Sequence, residues 1–119
     1  MKQIKLADKT YDLYFGFEFL KEIKARFYQE MNVDGQIMIL RANGLESMFG
    51  MLDLYDPLAV IDVIKAGTVT LKQKPSNAEL EQFIVKLSTD NEYIDFVKEL
   101  KETIQKEPLL SAILKNQKQ

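Results

Sequence analysis

Close pairs of carboxylates are the residues of this chain best suited to chemistry: Glu79 with Glu81, Asp90 with Glu92, and Glu99 with Glu102. Two neighbouring acids do general acid and base work only where burial or mutual repulsion raises one of their pKa values. Each pair here lies among lysines in a polar stretch, which predicts exposed, ordinary carboxylates and no glycosidase-type site. Oxygen-only metal binding needs acids converging on one loop at fixed spacing, and neither Asn32 with Asp34 nor the acids of the C-terminal third follow that pattern. The four serines, Ser47, Ser76, Ser88 and Ser111, have no histidine to activate them, and no cysteine supplies a thiolate. A Ser–Lys pair is the remaining nucleophile in principle, but helix capping already accounts for Ser76. The five glycines are scattered, so neither a phosphate-cradling loop nor a dinucleotide fingerprint can be assembled. The expectation is a protein that is not an enzyme and uses no metal and no cofactor.

Binding is the alternative to catalysis, and the charge pattern narrows it. Sixteen Lys+Arg against eighteen Asp+Glu leave a net charge of −2, the wrong sign for a grip on phosphate backbones. Residues 1–30 carry six basic and five acidic side chains, residues 31–71 two and five, and residues 72–119 eight of each. Both ends therefore read as solvated faces, and the middle is the apolar part. Tyr11, Tyr14, Phe15, Phe17 and Phe19 could form a base-stacking platform, but Asp8, Asp12 and Glu18 surround them and favour a hairpin-on-helix core. No window supplies the roughly 18 apolar residues of a membrane span. Nucleic acid and membrane are both excluded as partners, and a protein surface is left. Met38, Met48 and Met51 fall in the apolar middle, where methionine can fill a core or make an adaptable contact.

The elements that position these residues follow from periodicity. With 119 residues, 46% of them hydrophobic and 29% charged, the chain can support one ordinary core. Ile4 and Leu6, then Tyr11, Leu13 and Phe15, alternate about the connection Ala7-Asp8-Lys9, predicting a β-hairpin over 2–15 whose core face is Ile4, Leu6, Leu13 and Phe15. Phe17, Leu20, Ile23 and Phe27 recur at helical steps and predict a helix over 17–30. Asp34-Gly35 is turn chemistry, and residues 36–42 form an apolar connector without a clear period. Leu45, Met48, Phe49 and Leu52 mark a helix over 44–54. Asp56-Pro57 starts a helix over 57–66, with stripe Leu58, Val60, Ile61 and Ile64 and Gly67 as a left-handed cap. Ser76 and Glu79 form a capping box for a helix over 77–88, and Thr89 to Glu92 repeats that logic for a last long helix over 90–106. The fold class is α+β: an N-terminal hairpin followed by a mostly helical domain of four to five helices, ending at residue 108. After Pro108 comes an apolar hexad, Leu109 to Leu114, with a polar tail. Leu109, Leu110, Ile113 and Leu114 are the first candidates for partner binding, with Met48 and Met51 second.

Three phrases in this order are similar to one family. They are I-x-L…x-Y-x-L-x-F-G-F-x-F-L-K-E over Ile4 to Glu22, D-P-x-A-x-x-D-V-I-x-A-G-T over Asp56 to Thr68, and K-P-S-x-x-E-L over Lys74 to Leu80. In their order and spacing the chain resembles the tail assembly chaperones of long-tailed bacteriophages and prophages of Gram-positive bacteria. The resemblance implies a non-catalytic assembly factor in the host bacterial cytoplasm, absent from the mature virion. It implies two partners, the tape-measure protein, which it keeps soluble, and the tail-tube protein, whose subunits it helps recruit. It also implies a longer frameshifted form, for which the codons of Lys115-Asn116 are a candidate slippery stretch. Self-association would suit a protein that coats a long partner. No binding residue carries over, because the phrases match at folding positions. A different class of function, a small phage adaptor or inhibitor that binds a host protein, fits the same composition. Gene order separates the two, since a chaperone gene should lie between those for the tail tube and the tape measure.

Overall fold

The computed structural model describes residues 2–41 and 43–117, with side chains through residue 115. Strands β1 (Lys2–Leu6) and β2 (Lys9–Leu13) pair antiparallel with Ile4 opposite Tyr11 and Leu6 opposite Lys9. The expected core face is correct: Ile4, Leu6, Leu13 and Phe15 are all buried, and Tyr11 joins them. Helix α1 (Phe17–Arg26) follows, with Phe19 and Ile23 inward and Phe15 edge-on to Phe19 at 5.0 Å between ring centroids, but the hairpin itself lies against the later helices Pro57–Gly67 and Asn77–Thr89, which cover it in place of α1. A two-stranded hairpin is marginal alone in water, so this cover is what lets β1 and β2 persist.

Two features of the expected helix over 17–30 are corrected. It ends at Arg26, and Phe27 is extended, with φ −114° and ψ 112°. Its inward aromatic is Phe19, whereas Phe17 is 71% exposed. Residues 29–40, read from sequence as the end of a helix, a turn and an unassigned connector, form a second hairpin. Its strands are β3 (Gln29–Val33) and β4 (Gln36–Leu40). Asp34 and Gly35 both take positive φ, 53° and 81°, the conformation a two-residue turn requires.

Helices α2 (Gly44–Asp53), α3 (Pro57–Gly67), α4 (Asn77–Thr89), α5 (Tyr93–Lys106) and α6 (Pro108–Gln117) complete the order. Helix α2 buries Leu45, Met48, Phe49 and Leu52 as its spacing predicts. Helix α3 is the most enclosed, packed against α1, α2, α4 and β2. It turns Ala59, Val60, Val63, Ile64 and Ala66 inward, while Leu58, placed on its stripe by sequence, faces solvent. The Asp56 carboxylate accepts from Leu58 N at 2.9 Å, the expected N-cap. Gly67 is not a left-handed cap: it stays helical, its carbonyl accepts from Tyr14 N at 2.9 Å, and Leu13 lies against its bare Cα.

The Ser76–Glu79 capping box is present in both directions. The second one is not. Helix α4 runs on through Thr89, Asn91 takes φ 58°, and Glu92 precedes α5 without a side-chain cap. Helix α5 buries Val97, Leu100 and Ile104, and α6 packs on α5 with Leu110 fully buried. The hexad is thus a sixth helix, and the core continues past residue 108.

The molecule measures 50 × 32 × 29 Å with a radius of gyration of 15.0 Å. A compact chain of this length would have about 13.5 Å. Part of the chain stands away from the core, and the exposed second hairpin is that part.

Candidate functional site

The paired acids divide between α4, the turn after it, and α5. Glu79, Asp90 and Glu92 do line one cleft of about 450 Å³ beside the β1–β2 turn, but Lys5 and Lys86 line it too. Ser76 N–H donates to the Glu79 carboxylate, and this bond, with help from the Ser76 hydroxyl and Tyr11, holds Glu79 below its ordinary pKa. A depressed acid is the opposite of a proton donor near neutral pH. Tyr11 Oη donates to Glu79 at 3.3 Å and ties β2 to α4; burial first, then the Glu79 charge, raises the Tyr11 pKa. Tyr93, raised by burial and then by Asp56, donates to the Tyr55 carbonyl at 2.8 Å. Among the described residues, no group of three or more Asp or Glu is placed to hold a metal ion.

The residues named for partner binding separate by burial. Leu110 and Met48 are 0% exposed and belong to the core, so neither can touch a partner in this fold. Leu109, Ile113 and Leu114 are half-buried against that core, and Met51 is 41% exposed on the outer side of α2. The three methionines do not form one surface. Met48 is inside, Met51 lies on α2, and Met38 lies on β4 directly opposite Met31.

The second hairpin is where apolar side chains meet solvent. Met31, Val33, Ile37, Met38 and Ile39 are all exposed, Ile37 to 71%. Cross-strand partners share a face and neighbours alternate, so Met31, Val33, Met38 and Leu40 lie on one face. Ile37 and Ile39 lie on the other with Glu30 and Asn32. The strands pack on each other and neither lies along another element. Five residues of strand reach about 17 Å.

The base of this blade is fixed as firmly as its tip is free. Arg41 Nη1 donates to the Lys24 and Ala25 carbonyls at 3.4 and 3.2 Å, satisfying groups that the end of α1 leaves open. Its guanidinium lies 5.4 Å from the centroid of the Tyr28 ring. Asn43 donates to the Gln29 side chain at 3.0 Å. Gly44 then starts α2 so close to α1 that a Cβ there would lie 2.7 Å from the Phe27 carbonyl oxygen. The chain leaves the core at Phe27 and re-enters beside it.

Sequence reading missed this hairpin, although its turn dipeptide and the alternation of Met31 and Val33 with Glu30 and Asn32 were both in view. The family phrases lie on other elements: β1, β2 and α1; α3 with its cap; and the start of α4. A family model described as phage tail assembly chaperone protein, TAC, matches residues 3–118. The chain belongs to that family. The resemblance drawn from the three phrases holds at the level of the tail assembly chaperone family, and the general role is phage tail assembly with protein partners. Neither a curated protein nor a solved structure matches the chain. Among the described residues of this tail assembly chaperone, no helix is long and apolar enough to cross a membrane. The hairpin that joins its α1 and α2 is a surface suited to such partners, since it adds nothing to the core and keeps its apolar groups in water.

Proposed function

We propose that this chain is a non-catalytic chaperone in the host cytoplasm that binds the tape-measure protein, keeps it soluble, and helps recruit tail-tube subunits before leaving the finished tail. One observation carries the reading: an anchored hairpin with Met31, Val33, Met38 and Leu40 on one face, three of them exposed. An amphipathic helix of a long partner can lay its apolar stripe along such a face. Met31 opposite Met38 gives the centre of the contact side chains that adapt to different partner residues. Burying a side chain of this kind is worth roughly 1.5–3 kcal/mol before the costs of association, so a few of them suffice for reversible binding. Leu109, Ile113 and Leu114 of α6, with Met51 of α2, offer secondary contacts; Leu110 and Met48 support them from beneath.

The test is co-expression with the tape-measure protein of the same phage genome, the very long product expected from the neighbouring gene. The unaltered chain should render that protein soluble and co-purify with it. The double variant Met31→Ser/Val33→Ser, changed only at exposed positions, should stay folded by circular dichroism and lose co-purification. Undiminished co-purification by the folded double variant refutes the hairpin face as the site. Failure of the unaltered chain to solubilise the neighbour refutes the tape-measure reading itself.

A further inference from the structure

The free edge of β4 has a property that the faces of the hairpin do not share. Each of the other strands carries at least one charged side chain: Lys2 and Lys5 on β1, Lys9 and Asp12 on β2, Glu30 on β3. Strand β4, Gln36-Ile37-Met38-Ile39-Leu40, carries no charge, no proline and no bulge, the devices by which natural edges avoid pairing with other chains. The two-residue turn makes Val33–Gln36 a hydrogen-bonded pair, so bonded pairs recur at Met31–Met38 and Gln29–Leu40. The N–H and C=O groups of Ile37 and Ile39 therefore point away from β3. Among the described residues, no hydrogen bond outside the hairpin engages either.

We propose that two copies of this chain join through β4, antiparallel, about a twofold axis at Met38. The sequence of the strand selects a second copy as the occupant. Reversed about Met38, Ile37 meets Ile39 of the second copy and Ile39 meets its Ile37, so the outward groups of one strand face those of the other in bonding register. Four backbone hydrogen bonds form, and no like charges come face to face. Gln36 and Leu40 pair across the ends, so this register uses the whole strand. Sliding the axis to Ile39 would draw in Arg41, whose carbonyl already accepts from Gly44 N. The axis stands perpendicular to the sheet, so both copies keep Met31, Val33, Met38 and Leu40 on the same side. The resulting four-stranded sheet, ordered β3-β4-β4-β3, meets the strand count that an independent sheet needs and doubles the apolar face. An edge contact of five residues is small beside the about 1,200 Å² of a standard interface, so the dimer should dissociate on dilution.

The absence of cysteine allows a direct test on the purified chain, independent of any phage partner. In the proposed register the two Met38 Cα atoms are about 4.5 Å apart as a non-bonded pair, within disulfide reach. The two Ile37 Cα atoms are diagonal at about 7–8 Å, beyond it. Under mild oxidation Met38→Cys should give a covalent dimer, while Ile37→Cys and Asn32→Cys should not. In sedimentation equilibrium the unaltered chain should rise from 13.8 kDa toward twice that mass with concentration. Met38→Lys, which sets two ammonium groups against each other at an exposed position, should remain a folded monomer. A monomer at every concentration overturns the proposal. So does cross-linking of Ile37→Cys or Asn32→Cys as readily as Met38→Cys, or Met38→Cys cross-linking only to a co-expressed partner.

Discussion

Replacing Gly44 by alanine should destabilise the protein, while the same change at Gly50, six residues along the same helix, should stabilise it. A Cβ at Gly50 meets nothing within 4 Å, so Gly50→Ala keeps only the gain of a better helix former, about 0.5–1 kcal/mol. At Gly44 the new carbon would sit 2.7 Å from the Phe27 carbonyl oxygen and 2.8 Å from Lys24 Cα, both backbone atoms. Neither can swing aside as a side-chain tip would. Phe27 N–H donates to the Ile23 carbonyl, and Lys24 lies inside α1. Helices α1 and α2 must separate by about half an ångström, and overpacking of this kind costs typically 1–3 kcal/mol. The small propensity gain at a first-turn position does not offset it. With an unfolding entropy of about 2.1 cal/mol/K per residue, 119 residues give about 0.25 kcal/mol/K, so each kcal/mol moves Tm by about 4 °C. Thermal unfolding followed by circular dichroism should show Gly50→Ala about 2–4 °C above the parent and Gly44→Ala about 4–12 °C below it. A Gly44→Ala midpoint at or above the parent's would refute the close approach of α1 and α2, and with it the fixed base of the second hairpin.

Urea denaturation separates core from surface among the residues proposed for binding. Leu110→Ala and Met48→Ala should each lose about 2–5 kcal/mol, because both side chains are fully enclosed. Met51→Ala should stay within about 0.5 kcal/mol; equal losses at all three would contradict the burial. The pH dependence has two limbs of known sign. The Glu79 pKa is lowered in the fold, so its contribution is complete above the ordinary value of 4.5 and disappears as pH falls through the folded value; Glu79→Gln should flatten that acid limb. Tyr11 and Tyr93 are raised, so their contribution is complete below 10.0 and disappears as pH rises through the folded values. Urea midpoints that hold steady above pH 10.0, or an alkaline limb unchanged in Tyr11→Phe/Tyr93→Phe, would remove burial of the phenols as the cause.

What could be read from sequence depended on whether a signal was local and one-sided. The first hairpin and α2 were legible because one face is buried and the other wet, so Ile4, Leu6, Leu13 and the Leu45-Met48-Phe49-Leu52 stripe stand out. The Asp56-Pro57 and Ser76–Glu79 helix starts were legible because capping chemistry lies within four residues. The second hairpin was not, because both of its faces are apolar and both meet solvent. Period two therefore vanishes in the run Ile37-Met38-Ile39-Leu40. Thr89 to Glu92 misled for another reason. Its residue types satisfy the capping pattern, yet α4 continues through Thr89, and Asn91 makes the turn with φ 58°. Burial divides the binding candidates chosen from sequence, because hydrophobicity alone cannot separate an apolar surface from a last core contact. Leu110 and Ile37 look alike in the chain and lie at opposite extremes of exposure.

That contrast explains how a small chain can carry an apolar surface without sacrificing its core. The enclosed residues of α2, α3, α5 and α6 make the fold independent of anything on the hairpin, which is why substitutions on its faces should leave stability almost unchanged. Separation also removes the usual conflict between stability and binding, since a surface that holds no fold together can change shape, partner or occupancy freely. Arg41, Asn43 and Gly44 supply the remaining requirement by fixing where the blade starts and ends. An apolar strand on a loose tether would collapse onto the nearest hydrophobic patch of its own chain. Held at its base between α1 and α2, it stays clear of the core.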